Sequence, residues 1–344
     1  MRMTVKLGST GIVADKNGFG CLPIQRVDDA TAVKILRGAY EGGVNYYDTA
    51  RGYTDSEHKL GLAFDKGMRE KIFIATKSHA STAEGLLADL NTSLRELNTD
   101  YIDVYQFHNL SFVPRPGDES GIYDTLLEAK RQGKIRHIGL TSHRLPIALE
   151  AVESGLYETL QFPFSYLSVG QDIALVERCY ANNVGFVAMK SLSGGLISNA
   201  RGAWAFMAEH PGVLPIWGIQ RMEELEEFLG YQKNPPVMEE EGIRAGIERD
   251  RKELDGEFCR GCGYCKPCPM GIDISWAARI EWFVKRGVPG HAFSEEFQNI
   301  MSKVSDCVEC RQCVSRCPYG LDIPELIKRH NAFYQEALAG YRKL

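Results

Sequence analysis

Short β-prone runs and amphipathic segments alternate eight times between about residues 18 and 230. The strand candidates are 18–21, 45–47, 72–76, 102–107, 137–140, 160–162, 185–188 and 214–217. Helical patterns at 32–41, 56–66, 83–97, 122–131, 145–152, 172–182, 204–209 and 222–229 follow them in turn. Strands separated by helices pair in parallel, because the helix carries the chain back along the sheet. Eight such units match the closure number and the usual size, about 250 residues, of a (β/α)8 barrel. An open doubly wound sheet would carry a Gly-rich phosphate loop after its first strand. Gly18-Phe19-Gly20-Cys21-Leu22 is not such a loop, so the barrel is the expected fold. Ahead of it, the segment from Val5 to Val13 reads as a hairpin around Gly8 and Gly11, placed to plug the bottom of the barrel.

The chain has 344 residues, too many for this barrel alone. Asn234-Pro235-Pro236 stops the last helix, and the charged run 248–255 reads as a surface helix or linker. The expected division is a barrel over 1–232, a charged linker over 233–256 and a smaller all-α domain over 257–344. In that last part 276–286, 295–304 and 325–341 look helical. A net charge of -5 gives no nucleic-acid footprint. No window approaches the roughly 18 apolar residues of a membrane span. The N-terminal stretch lacks the apolar region of a secretory signal, so a cytoplasmic setting is expected. Thiols stay reduced there, and clustered cysteines bind metal.

Eight of the 10 cysteines lie between Cys259 and Cys317, in one motif written twice. The first copy has Cys259, Cys262, Cys265 and Cys268, the last followed by Pro269-Met270-Gly271-Ile272-Asp273-Ile274. The second has Cys307, Cys310, Cys313 and Cys317, followed by Pro318-Tyr319-Gly320-Leu321-Asp322-Ile323. Three cysteines two residues apart let one tight loop offer three thiolates to a cuboidal [4Fe–4S] cluster. The fourth, before proline, ligates the other cluster in two-cluster proteins. The expected sets are therefore Cys259, Cys262, Cys265 and Cys317 for one cluster, and Cys307, Cys310, Cys313 and Cys268 for the other. Structural zinc prefers two Cys-x2-Cys pairs across a longer loop, which fits poorly. Cys21 and Cys179 read as buried apolar fillers. Residues 257 to 330 resemble the helical kind of two-cluster ferredoxin module, which implies electron transfer through two [4Fe–4S] clusters.

Four polar residues fall at or just beyond the C-terminal ends of successive strands. Asp48 closes the second, Tyr53 lies in the loop after it, Lys77 ends the third and His108 ends the fourth. Those ends share the rim where barrel active sites lie. Carbonyl reduction needs a proton on oxygen as hydride reaches carbon. A tyrosine of ordinary pKa near 10 is a weak acid, and an adjacent ammonium, held by a carboxylate, is expected to lower that pKa. A histidine beside them orients the carbonyl or relays a proton.

The hairpin start, Tyr47-Asp48-Thr49-Ala50 with Tyr53 and Ser56-Glu57, Lys77 and His108 resemble the aldo/keto reductase family over residues 1 to about 232. The resemblance implies a nicotinamide cofactor, usually NADPH, and reversible reduction of aldehydes or ketones. By position it implies that Thr141, Ser142 and Gln161 hold the carboxamide. Lys190 and Ser191, with Gly195 close by, lie where the family cradles the pyrophosphate. Arg221 lies where it grips a 2′-phosphate. Ser142 stands in place of the family's usual Asn, and Phe228 in place of another, so NADP(H) and NAD(H) both stay open. The loop 112–121, with Arg115, is expected to line a pocket for the carbonyl or alcohol substrate. Three readings follow: a reductase whose clusters exchange electrons with a ferredoxin or flavodoxin-type carrier, a reductase whose clusters are structural or oxygen-sensing, and an NADP(H)-binding redox sensor with little turnover.

Overall fold

The computed structural model describes residues 2–168, 170–254, 258–261, 263–286, 292–317 and 319–341. The chain opens with an antiparallel hairpin of β1 (Thr4–Lys6) and β2 (Val13–Asp15), in which Val5 faces Ala14. Eight parallel strands then close into a barrel. They are β3 (Gly18–Gly20), β4 (Tyr46–Asp48), β5 (Phe73–Ser78), β6 (Ile102–His108), β7 (Ile135–Thr141), β8 (Thr159–Pro163), β9 (Gly185–Met189) and β10 (Val213–Gly218). Each pairs with the next, and β10 closes on β3 with Trp217 opposite Phe19.

The hairpin plugs the end where the strands begin. Val5, Leu7, Ile12 and Ala14 pack with Tyr46, Ala75, Val104, Val187, Leu214 and Ile216 in one apolar cluster. Burying a side chain of Leu or Ile size contributes about 1.5–3 kcal/mol, so this layer is a substantial source of stability. Its turn demands glycine at position 8. The φ there is +49°, and a Cβ would stand 2.4 Å from the backbone nitrogen of Gly185. The barrel interior is thus apolar at its closed end and, as shown below, polar at its open end.

The helices of this unit are α1 (Asp29–Glu41), α2 (Ser56–Ala63), α3 (Lys66–Arg69), α4 (Ala83–Glu96), α5 (Ile122–Arg131), α6 (Leu145–Glu153), α7 (Gly170–Ala181), α8 (Ala200–Ala208) and α9 (Met222–Lys233). α1 shows why such segments fold. Asp28 caps it by accepting from Thr31 N at 2.9 Å, and Ala32, Ile35, Leu36 and Ala39 form one buried stripe. The segment expected as one helix over 56–66 breaks at Phe64, because Asp65 accepts from Met68 N and starts α3.

The tail carries α10 (Ile243–Glu253), α11 (Ile274–Ala277), α12 (Ile280–Arg286), α13 (Glu295–Ser302), α14 (Gln312–Ser315) and α15 (Ile323–Tyr341). The expected helix over 276–286 is two short ones, and that over 295–304 ends in a 3₁₀ turn at Lys303–Asp306. Ile274, Ile280, Phe297, Met301, Ile323, Leu326 and Tyr334 build a core of their own. The chain divides into two compact units. One holds Met1–Ser191 and Arg201–Ala245, and the other Leu192–Ala200 and Gly246–Leu344. The boundary therefore falls within α10, and the segment after Ser191 belongs to the second unit. Among the described residues, no helix is long and apolar enough to cross a membrane.

Candidate functional site

Alternation along a strand sends residues i and i+2 to the same face. On β5 this separates Lys77 from Thr76 and Ser78. The latter two face outward, where Thr76 Oγ1 donates to Glu57 Oε1 at 2.6 Å and the Ser78 hydroxyl donates to Asp89. Arg51 pairs with the same Glu57. Lys77 faces inward, and Nζ donates to Asp48 Oδ1 at 2.5 Å and to the Thr49 carbonyl at 2.7 Å. Gln106 Nε2 reaches Asp48 Oδ2 at 3.2 Å, and Gln161 Nε2 reaches Asp48 Oδ1 at 3.1 Å. Asp48 is thus a buried carboxylate with three side-chain donors.

Tyr53 and His108 complete the group. Lys77 Nζ lies 5.0 Å from the centroid of the Tyr53 ring, and the Tyr53 and His108 rings meet edge-on at 6.0 Å. His79, two residues beyond Lys77, stacks on His108 with centroids 3.7 Å apart and planes within 15°. Sequence reasoning passed over His79 and Gln106. Period-two alternation was the signal, since 77 with 79 and 106 with 108 share a face.

Burial sets the protonation states. It pushes the Tyr53 hydroxyl up; Lys77 opposes this and does not overcome it. Lys77 lowers the Tyr53 pKa, as expected, but desolvation outweighs the ammonium and the net shift is upward. Burial alone would push Lys77 down, but Asp48 and Tyr53 bring it above its ordinary value. His108 is held well below its ordinary value by burial first, then by Lys77, His79 and His143. At neutral pH a charged Lys77 stands beside a protonated tyrosine and a neutral imidazole. His108 Nδ1 is buried and has no hydrogen-bond partner among the described residues.

The residues expected to hold a nicotinamide nucleotide are placed as follows. Thr141 and Ser142 are buried at the end of β7, and the Ser142 hydroxyl donates to the Arg144 carbonyl at 3.1 Å. Gln161 Oε1 is a buried acceptor without a partner among the described residues, which suits a carboxamide NH₂ donor. Lys190 has a positive φ, and the Ser191 hydroxyl donates to the Ala188 carbonyl at 3.2 Å. Gly195 falls in the second unit. Arg221 caps α9, with its guanidinium on Glu224 at 2.8 Å. The structure therefore brings Gln161 to the Asp48–Lys77 pair, and it engages Arg221 elsewhere. Arg115 pairs with Glu150 at 2.9 Å at an exposed loop tip.

In the second unit one cavity is lined by Cys268 together with Cys307, Cys310 and Cys313, and by Cys265. Across the two motifs, the Arg260 guanidinium sits 4.4 Å over the ring of Tyr319, two residues after Cys317. Cys259 Sγ accepts from Gly261 N at 3.4 Å. Cys262 lies outside the described residues, as do Pro318 and residues 255–257. The two loops share a backbone signature. Gly261 and Gly263 have positive φ, and so do Glu309 and Arg311 at the equivalent positions. Among the described residues, no His, Cys, Asp or Glu group is placed to hold a single metal ion. Cys21 and Cys179 are buried, as expected of apolar fillers.

Residues 16–210 match the aldo/keto reductase family, and residues 258–322 match a 4Fe-4S dicluster domain. Methylglyoxal reductase DkgB of Salmonella typhimurium is 31% identical over 271 residues, covering 73% of this chain and 96% of that protein. Among solved structures, the aldo-keto reductase AKR11C1 from Bacillus halodurans, holo form, superposes with a TM-score of 0.62 at 21% identity, covering 73% and 96% of the two chains. An aldo-keto reductase from Klebsiella pneumoniae in complex with NADPH superposes with a TM-score of 0.61 at 22% identity, covering 72% and 95%. With a closed barrel and a family match over more than half its length, the chain belongs to the aldo/keto reductase family and carries a 4Fe-4S dicluster domain after its barrel.

Proposed function

We propose that this oxidoreductase reduces a small aldehyde or ketone reversibly, with Tyr53 as proton donor, and that its two clusters pass single electrons to or from a ferredoxin or flavodoxin-type carrier. The observation that carries the reading is the buried Asp48–Lys77 pair beside Tyr53 and His108 at one rim of the barrel. Tyr53 holds the proton destined for the substrate oxygen. Lys77 faces the phenolate that forms and stabilises it, and Asp48 keeps the ammonium in place. The neutral His108 holds the carbonyl oxygen by hydrogen bonding. Gln161, Thr141 and Ser142 would hold a nicotinamide, Lys190 and Ser191 its pyrophosphate, and Arg221 a 2′-phosphate. A reduced nicotinamide supplies a hydride when bound. The similarity to a protein named methylglyoxal reductase and to one in complex with NADPH favours a small carbonyl compound and NADP(H) over NAD(H).

In this reading the barrel domain spans 1–232, a linker 233–256 and the cluster domain 257–344. One cluster sits on Cys259, Cys262, Cys265 and Cys317, and the other on Cys307, Cys310, Cys313 and Cys268. A reducing cytoplasm suits such thiolate-held clusters. The test uses anaerobically isolated protein with a panel of small aldehydes. Tyr53→Phe should lower kcat by about 10²–10⁴-fold, with an unchanged circular dichroism spectrum. Equal rates for both proteins would remove Tyr53 from the chemistry. Adding NADPH and then substrate should change the cluster signal in EPR. A signal indifferent to both, in protein that turns over, would leave the clusters a structural role.

A further inference from the structure

Arg279 is a nearly buried cation placed against the first cysteine loop. It is 8% exposed, and Nε donates to the Ser275 carbonyl at 2.9 Å. Nη1 donates to the Gly194 carbonyl, in the segment Leu192–Ala200 of the same unit, at 3.1 Å. Its guanidinium carbon lies 5.4 Å from the ring centroid of Trp276 and 5.1 Å from that of Phe283. These contacts fix the charge in one place. That place is beside Gly261, between Cys259 and Cys262. A methyl group on Gly261 would stand 2.8 Å from both Cζ and Nη1 of Arg279. On its other side, Gly261 N points at Cys259 Sγ.

Counting from the Cys-Pro of each copy, Arg279 corresponds to Lys328, which is exposed. The second motif's loop is also open to water, with Val308 63% exposed and Cys310 exposed. A duplicated sequence has therefore produced two unequal electrostatic surroundings.

We propose that Arg279 is a potential-tuning residue, raising the reduction potential of the cluster bound by the first cysteine loop relative to the value that loop would give alone. The inference rests on the assignment of the cysteines to two [4Fe–4S] clusters. Reduction adds one negative charge to a cluster, and local charge is one of the levers that set its potential. A fixed guanidinium stabilises the added electron, and water, which would screen it, is excluded around it.

Potentiometric EPR on the anaerobic full-length protein tests this, alongside iron and sulfide analysis. About eight irons per chain supports the cluster assignment independently of Arg279. Arg279→Gln should lower the reduction equilibrium constant of one cluster about tenfold, or about 59 mV for one electron, and leave the other where it was. Arg279→Lys should restore most of the shift, and Lys328→Gln should not reproduce it. Unchanged midpoints in Arg279→Gln with full iron content would overturn the proposal, as would an Arg279→Lys shift as large as that of Gln. Should the Gln variant lose iron, Arg279→Lys decides: full iron and a near-native midpoint support the role of charge, and loss of iron there too makes Arg279 a packing residue only.

Discussion

Asp48 is the hinge of the site's electrostatics, since Lys77, Gln106 and Gln161 all donate to it. Its removal would strand a buried ammonium. Asp48→Ala should destabilise the barrel by about 3–5 kcal/mol at pH 7, measured by urea unfolding. The pH dependence has a definite sign. The folded-state pKa of Lys77 is raised, so the pair's contribution is complete below the unfolded value of about 10.4 and is lost as pH rises through the folded one. The gap between wild type and variant should therefore begin to close only above about pH 10.4 and keep closing as pH rises through the raised folded-state value. A gap that stayed constant would mean Asp48 acts through packing alone. Asp48, Tyr53, Lys77 and His108 were legible as residues because each is polar at a strand end or in the loop just beyond one. The net direction of the Tyr53 shift was not. It depends on how completely the site is desolvated, which one-dimensional spacing does not encode.

At the level of elements, all eight barrel strands and the plugging hairpin could be read from periodicity, with edges displaced by a residue or two. The errors lie where a local cap overrides the apolar pattern, as Asp65 does in splitting α2 from α3. The cysteine loops are the most informative elements. Their duplicated spacing announced the repeat, but the matching left-handed positions did not show. Glycine fills them in the first loop, and Glu309 and Arg311 in the second. A side chain in that conformation costs about 1–2 kcal/mol, and the second loop already bears it. Gly261→Ala should therefore weaken the first loop twice, through strain and through displacement of Arg279, whereas Glu309→Ala should be nearly neutral. Iron retained per chain after a fixed challenge with chelator compares them. Equal retention in the two variants would contradict the account.

For the whole molecule, the unexpected feature is the path of the chain. It leaves the first unit after Ser191, contributes Leu192–Ala200 to the second, and returns at Arg201. No sequence signal marked this excursion, which includes Leu196 and Ile197. They are buried, at 1% and 3% exposure. The consequence concerns how the molecule can be taken apart. A stop codon after Ala245 looks like a clean domain deletion and is not one, since it orphans an apolar segment in mid-chain. Such a truncation should aggregate, and replacing Leu196 and Ile197 with serine should recover soluble protein, as read by size-exclusion chromatography. A truncation that stays monomeric without the serines would show the segment to be dispensable. In genetic terms a single junction after the barrel does not enclose the whole of the second unit, because Leu192–Ala200 lies inside the stretch that matches the reductase family.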